Sequence, residues 1–251
     1  AFEGTQACDM PLSDFLPDAT LQAIAAETTV AETAFIVADG TGRWQLRWFT
    51  PTVEVPLCGH ATLAAGHYLF AHAGFTGDSI EFVTRRSGSL HVTRGGLARY
   101  EMDFPAAEIA ETSIDPALVA ALGVAPVAVF SGPFIAVQLD SVDTVRAVQP
   151  DLRALAQVGA GNIGCFALGG AEGAAVTSRF FAPGSGIDED PATGSWHCQL
   201  APVLAHLDGR ETALCYQAYP GRGAWIETAL AGDRVKLRGR AVTIIEGRFS
   251  C

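Results

Sequence analysis

Three segments of the chain place acid, imidazole or backbone N–H groups where a helix meets a loop or a strand. Glu32 follows a predicted helix and precedes a predicted strand. Gly59–Thr62, which includes His60, opens one apolar helix, and Gly186–Ser195, which includes Asp190, opens another. The first N–H groups of a helix lack intrahelical acceptors and attract anions. Two such N-termini facing each other would bind a carboxylate, and a Glu, a His and an Asp around it would transfer protons.

Two further patterns favour structural over chemical interpretations. Gly159–Gly164 matches G-x-G-x-x-G, but a helical run precedes it and a strand-like run follows. This order is the reverse of a dinucleotide-binding fingerprint, so we predict a helix-to-strand loop and no cofactor. Ser195 is followed by Trp196-His197 and lacks the second glycine of a hydrolase elbow, which leaves acyl transfer without support.

The Cys and His spacings do not predict a metal site. Cys58 with His60, and His197 with Cys198, form two isolated pairs on apolar helices. Structural zinc sites use four ligands and catalytic sites at least three, usually at recurrent spacings. We therefore predict no bound metal, and isolated pairs of this kind on apolar helices are more typical of packing residues.

Composition narrows the classes of function. The 251 residues are 49% hydrophobic and 17% charged, which excludes disorder as the main state. With 16 basic and 27 acidic residues, the net charge of −11 disfavours a nucleic-acid partner. No run of about 18 apolar residues predicts a membrane span. The six cysteines are widely spread, and we interpret them as reduced thiols of a cytoplasmic protein.

Short strands alternate with few helices, which predicts an α+β fold. Helices are expected at Pro17–Thr29, Gly59–Ala73, Pro116–Leu122, Asp140–Leu155 with a break at Pro150, and Gly194–His206. Strands are expected at 33–38, 44–50, 79–84, 89–94, 99–104, 127–130, 134–139, 164–168, 174–182, 212–219, 224–230, 234–237 and 241–249.

An internal echo predicts two copies of one α+β unit. Trp48–Pro51 precedes the Gly59 helix, and Arg179–Pro183 precedes the Gly194 helix. Each copy is a strand ending in Phe-x-Pro, then a loop, then a glycine and a polar residue that open an apolar helix. We expect an N-terminal half at 1–105, completed by a last strand at about 240–251, and a C-terminal half at 106–239.

These motifs resemble the phenazine-biosynthesis PhzF-like family of isomerases, which has the diaminopimelate-epimerase fold. The resemblance covers nearly the whole chain in order. The matching stretches are Glu32–Phe35, Arg47–Pro51 with Glu54, Leu57–Ala64, Met102–Pro105, Arg179–Pro183, Gly186-Ile187, Glu189–Ser195, Gln217, Arg222-Gly223 and Gly239–Val242. This sequence departs from the family pattern at Thr5 and Gln6, where the family has Asn-Pro, and at Trp196, where it has Ala.

The resemblance implies two pseudo-symmetric halves, each a barrel-like sheet around a central helix, with the active site in the cleft between them. It also implies a homodimer, no cofactor and a small anionic metabolite as substrate. By position, Glu32 corresponds to the general acid/base, and His60 and Asp190 to its polar partners. Gly59, Gly194 and Ser195 correspond to residues that hold the substrate carboxylate.

Two other functions stay open. Related racemases of this fold use two thiols; Cys58 stands where the first would be, but no cysteine lies near Pro191, where the second would fall. This pattern favours a proton-shift isomerase with one carboxylate over a two-base racemase. The departures at Thr5, Gln6 and Trp196 motivate a catalytically silent small-molecule binder or interaction protein as the alternative.

Overall fold

The computed structural model describes residues 2–96 and 99–250. They divide into two compact units. The first contains Gln6–Asp103 together with the chain from Arg238 onward, and the second contains Phe104–Leu237 together with residues 3–5. Within the described ranges, no helix is both long and apolar enough to cross a membrane.

The elements of the chain confirm the predicted α+β class. The helices are α1 Asp18–Thr28, α2 Gly59–Ala71, α3 Pro116–Leu122, α4 Val142–Ala147, α5 Leu152–Leu155 and α6 Gly194–Asp208. The strands are β1 Ala7–Leu12, β2 Glu32–Ala38, β3 Trp44–Phe49, β4 Glu54–Val55, β5 Ser79–Thr84, β6 Ser89–Arg94, β7 Arg99–Pro105, β8 Ala110–Thr112, β9 Ala128–Ser131, β10 Ile135–Gln138, β11 Ile163–Leu168, β12 Val176–Phe181, β13 Glu189–Asp190, β14 Thr212–Gln217, β15 Ala224–Ala231 and β16 Arg234–Arg240.

The two units repeat one strand topology. In the first, β1 pairs parallel with β2, β2 antiparallel with β3, and β3 parallel with β5. In the second, β10 pairs parallel with β11, β11 antiparallel with β12, and β12 parallel with β14. The apolar helices α2 and α6 occupy the same place in this order. The repeat that the Phe-x-Pro echo predicts is therefore present in the structure.

A buried ion pair occurs at the same point of each repeat. Arg47 on β3 donates from Nε and Nη2 to the two carboxylate oxygens of Glu54 at 2.8 and 2.9 Å. Arg179 on β12 makes the same two bonds to Glu189 at 2.8 and 2.7 Å. The two-pronged geometry suits the planar guanidinium, and it ties each short strand, β4 or β13, to its neighbour. Each short strand lies just before a helix, α2 or α6, whose first turn contains predicted site residues.

Near the ends of the chain, one expected strand is absent and one strand forms that the sequence pattern does not predict. Residues 241–250 form no regular secondary structure, although a strand was expected at 241–249 to complete the first half. The apolar side chains of Val242, Ile244 and Ile245 are exposed there, and alternation alone does not make a strand without a partner for its backbone. Conversely, β1 forms although its sequence contains Asp9 and Pro11, because β2 supplies a parallel partner along its length.

The central helix of the second unit is anchored by an aromatic side chain that needs a glycine beside it. Trp196 on α6 is fully buried, and its indole N–H donates to Ser178 Oγ at 3.2 Å. A Cβ at Gly164 on β11 would lie 2.5 Å from the indole ring. The last glycine of the G-x-G-x-x-G segment therefore makes room for Trp196, and the segment joins a helix to a strand as predicted.

Candidate active site

Glu32 is the first residue of β2, and its side chain is placed by the alternation of that strand. The next residue, Thr33, bonds to Thr28 of α1 through the two hydroxyls at 2.7 Å, and Phe35 packs in the cluster that α1 covers. Glu32 therefore points to the opposite face of the sheet. Helix α2 packs against β1 and β2, and its first turn carries His60.

Glu32 and His60 meet in the first unit. His60 Nε2 lies 2.9 Å from Glu32 Oε2, and each side chain is 19% exposed. That oxygen is shielded from solvent and has no well-aligned hydrogen bond to the described residues, so the contact is an ion pair rather than a linear hydrogen bond. The pair leaves both groups reachable by a ligand and close enough to share a proton.

Cys58 is the third polar group of this cluster. Its sulfur lies 3.6 Å from Nδ1 and 3.8 Å from Nε2 of His60. Burial lowers the pKa of His60, but Cys58 and Glu32 outweigh it and raise that pKa well above its usual value. An imidazolium is therefore the stable form of His60 beside these two groups.

The same three side chains are the one set in the described chain whose donor atoms converge as a metal site requires. Their donor atoms lie within 4.8 Å of one another. Thiolate, imidazole and carboxylate are all zinc ligands. The 2.9 Å contact between Glu32 and His60 gives each of these two groups a partner of opposite charge. The sequence-based expectation of no bound metal stays a prediction.

Gly59 and His60 open α2 with unpaired N–H groups. The first helical bond is from Thr62 N to Cys58 O at 3.1 Å, so the N–H groups of Gly59, His60 and Ala61 precede it. Cys58, the N-cap residue, makes no side-chain bond to them. These N–H groups are directed to where an anion beside His60 would bind.

Asp190 lies in the second unit, where its carboxylate organises the loop that leads into α6. Its Oδ2 accepts from Thr193 Oγ1 at 2.8 Å, and its Oδ1 accepts from Ala192 N at 3.2 Å. Thr5 Oγ1 also donates to Oδ1, at 3.5 Å. The departure from the family pattern at Thr5 thus supplies a hydrogen-bond donor to Asp190.

Gly194 and Ser195 form the first turn of α6. The first helical bond there runs from His197 N to Thr193 O at 3.3 Å, so the N–H groups of Gly194 and Ser195 have no acceptor within the helix. Ser195 is exposed, whereas His197 is fully buried. Burial lowers the pKa of His197 to about 4. His197 is therefore a neutral core residue, as expected for a packing role.

Two residues near these groups had no role predicted from the sequence. Gln217 is fully buried and accepts from Thr193 N at 2.9 Å, so it holds the residue that caps α6. Asp9 on β1 has an Oδ1 that is shielded from solvent and has no hydrogen-bond partner in the described ranges. Asp9 is an acid among apolar residues, which is a weak signal in the sequence. Its environment depends on the pairing of β1, and the hydrophobic pattern does not predict that strand.

Comparison with known proteins decides the family. The profile of the family described as "Phenazine biosynthesis-like protein" matches residues 1–247. The chain belongs to the phenazine biosynthesis-like protein family. A Pseudomonas aeruginosa member, named as an uncharacterized isomerase, is 42% identical over 249 residues, which cover 99% of this chain and 93% of that protein.

Solved structures agree with this assignment. The crystal structure of a putative phenazine biosynthesis protein from Clostridium difficile has a TM-score of 0.91 and 34% identity, and the match covers 100% of this chain and 95% of that one. A probable proline racemase from Agrobacterium radiobacter has a TM-score of 0.61 at 11% identity, covering 96% and 89% of the two chains. The second likeness shows a shared fold, and the expected fold is confirmed.

The structure also decides what the departure at Trp196 means in this family member. The indole fills the interior of the second unit against Phe166 and Phe180, with ring centroids 6.3 and 6.0 Å away. The side chain therefore packs in the core rather than pointing into an open pocket. Gly164 creates the space for this side chain inside the sheet, so the departure at Trp196 changes the core.

Proposed function

We propose that this protein is a cofactor-independent isomerase that shifts a proton within a small carboxylate-bearing metabolite, with Glu32 as the acid/base. The observation that carries the proposal is the 2.9 Å contact between Glu32 Oε2 and His60 Nε2 at the start of α2. It combines a base, an imidazolium and an anion-binding helix N-terminus in one place. Two family relatives that are named as isomerases support the same reaction class.

The chemistry needs one proton and no electron transfer. In a substrate whose carbon–carbon double bond is one position removed from the carboxylate-bearing carbon, Glu32 accepts a proton from that carbon, and the negative charge spreads over the carboxylate and the double bond. The imidazolium of His60 and the N–H groups of Gly59 and Ala61 stabilise the developing charge. Glu32 then returns the proton to another carbon of the same molecule. The double bond has moved, and atoms and charge balance.

His60 supports this sequence by its charge. While Glu32 carries the substrate proton, the imidazolium faces the substrate anion, and when Glu32 is again a carboxylate the ion pair re-forms. Asp190, Gly194 and Ser195 stay predicted ligand contacts of the second unit. We do not extend the proposal to a two-thiol racemase, since residues 189–195 contain no cysteine.

Solvent-deuterium exchange tests the role of Glu32. Small unsaturated and α-substituted carboxylates are incubated with the protein in D2O, and deuterium incorporation is followed by proton NMR. We expect the wild-type protein to exchange at least one compound and Glu32→Gln to lose about a hundredfold or more in rate, the usual contribution of a general base. Glu27→Gln, an exposed change of the same type on α1, serves as the matched control.

The outcome also separates the alternative. If Glu32→Gln exchanges a substrate as fast as Glu27→Gln, Glu32 is not the base. If carboxylates raise the thermal unfolding temperature but none is exchanged or converted, the protein is a binding protein on the same fold.

A further inference from the structure

Asp9 lies on the same face of the sheet as Glu32. β1 and β2 are parallel, with Ala7 beside Glu32 and Asp9 beside Ala34. Side chains alternate along a strand, so Ala7 and Asp9 share the face that carries Glu32. Met10 and Leu12 point the other way and pack with the cluster beneath α1. Asp9 therefore lies on the face of the sheet against which α2 packs, and His60 is in the first turn of that helix.

The carboxyl group of Asp9 has an unusual environment. Its Oδ1 is out of contact with solvent and unpaired among the residues that the structure describes. Buried polar atoms are nearly always hydrogen-bonded, because an unpaired one costs free energy. Burial raises the pKa of Asp9 to about 7, and the charge of His60 acts in the opposite direction. Asp9 and His60 are thus close enough to influence each other's protonation.

The internal repeat shows that the fold does not require an acid at this position. Thr33 pairs with both Cys8 and Phe49, and Ile163 pairs with both Ile135 and Phe181. Phe49 and Phe181 are equivalent, since each lies opposite the glutamate of the repeated ion pair. Cys8 and Ile135 are therefore equivalent, and so are the residues that follow them, Asp9 and Ala136. Ala136 is fully buried.

The residues around Asp9 differ between the repeats in the same way. By the same alignment, His60 corresponds to Ser195 and Cys58 to Thr193, since each pair has the same spacing from the glutamate of its ion pair. Ionisable groups at three equivalent positions occur in the first unit alone. The second unit keeps the topology without them. The carboxyl group of Asp9 therefore belongs with the chemistry of the first unit rather than with the fold.

We propose that Asp9 is a positioning residue that, by its own ionisation, sets the charge that the Glu32–His60 site presents to an anionic ligand and adds to the effect of Cys58 and Glu32 on His60. The inference rests on the proposed function for the anionic nature of that ligand. Ionised Asp9 adds one negative charge to the site and repels a carboxylate, whereas neutral Asp9 does not.

Titratable groups lie on each element that packs against β1. Cys8 is the neighbour of Asp9 on β1, and burial together with the charge of Asp9 raises the pKa of that thiol. Glu32 begins β2, His60 lies in the first turn of α2, and Cys58 is the residue before that helix. Of these, His60 is the one that can gain a positive charge. Ionised Asp9 therefore favours the imidazolium, and its removal must make His60 lose its proton at lower pH.

NMR titration tests the inference without any substrate. The ring nitrogen signals of His60 are recorded from pH 5 to 9 in the wild-type protein, in Asp9→Asn and in Asp78→Asn, an exposed control in the same unit. We expect an inflection near pH 7 in the wild-type and Asp78→Asn curves and its loss in Asp9→Asn. We also expect His60 to lose its proton at lower pH in Asp9→Asn. Identical curves for all three proteins would overturn the inference.

A ligand probe and a wild-type measurement complete the test. Acetate binding, followed by the amide signals of Gly59 and Ala61, should weaken as pH passes 7 in the wild-type protein but not in Asp9→Asn. Absence of acetate binding, or equal pH dependence in both proteins, would overturn the ligand part. If Asp9→Asn does not fold, the carboxyl carbon of Asp9 in the wild-type protein must titrate near pH 7, and titration below about pH 5 refutes the proposal. Failure of Glu32→Gln to slow exchange would refute the proposed function alone.

Discussion

Replacing Asp9 with asparagine should remove a pH-dependent loss of stability from the first unit. Asp9 has a pKa of about 7 in the folded chain, against an ordinary value of 3.8. Below about pH 4 the carboxyl group is protonated in both the folded and the unfolded state and has no effect. Between 4 and 7 it ionises first in the unfolded state, so the free energy of unfolding falls as pH rises. Above 7 both states are ionised, and the loss stays constant.

The size of this effect follows from the same two values. The interval from 3.8 to about 7, at about 1.36 kcal/mol per pH unit, corresponds to about 4 kcal/mol. Asparagine has a similar shape and cannot ionise. The difference in unfolding free energy between Asp9→Asn and the wild-type protein should therefore rise by about 4 kcal/mol from pH 4 to pH 8, whatever fixed cost the buried amide adds.

Urea unfolding at pH 4, 5.5, 7 and 8, followed by tryptophan fluorescence and circular dichroism, measures this difference. Equal m-values show that the compared transitions expose the same surface. Asp78→Asn should follow the wild-type protein at every pH. If the difference between Asp9→Asn and the wild-type protein stays within about 1 kcal/mol over the whole range, the carboxyl group of Asp9 does not remain protonated on folding, and the reasoning about the site fails with it.

Two further substitutions test the framework that holds the site. Arg179→Ala leaves Glu189 buried without its partner and should lower the unfolding free energy by about 3–5 kcal/mol. Arg43→Ala, at an exposed ion pair, should lower it far less. Equal losses in urea unfolding would contradict the assigned role of the buried pair. Gly164→Ala forces a Cβ against Trp196 and should lower the unfolding free energy by about 1–3 kcal/mol. Adding Trp196→Phe should recover part of that loss. Additive effects in the double mutant would show that the contact is not the cause.

Much of the secondary structure could be predicted from local patterns. The helix at Pro116–Leu122 and the strands at 79–84 and 89–94 have the expected bounds. Asp115 accepts from Ala117 N, and Gly123 ends the helix in the left-handed region, so both signals are local. The strand expected at 241–249 does not form, because alternation of apolar and polar residues is only one of two requirements for a strand. A strand also needs a partner, and partners are set by tertiary structure.

The residues of the candidate site fall into the same two groups, those that local sequence predicts and those that depend on tertiary structure. The glycine, imidazole and thiol at the start of α2 can be recognised in sequence, because a helix N-terminus is a local structure. Asp9 could not be recognised, because nothing near it in sequence shows that β1 pairs with β2 or that α2 covers it. The packing role of Trp196 could not be recognised from sequence either. Gly164 is 32 residues earlier, and the space that it leaves exists only in the folded sheet.

The sequence by itself determined the types of reactive group, the helix N-termini whose first N–H groups lack helical acceptors, the repeat and the resemblance to a family. Tertiary structure alone decided which groups meet. Glu32 and His60 are 28 residues apart, yet the packing of α2 on β2 brings their side chains to 2.9 Å. Burial in the folded chain also raises the pKa of Asp9. Proton affinity depends on distance to charge and on loss of solvent, and both are properties of the folded chain.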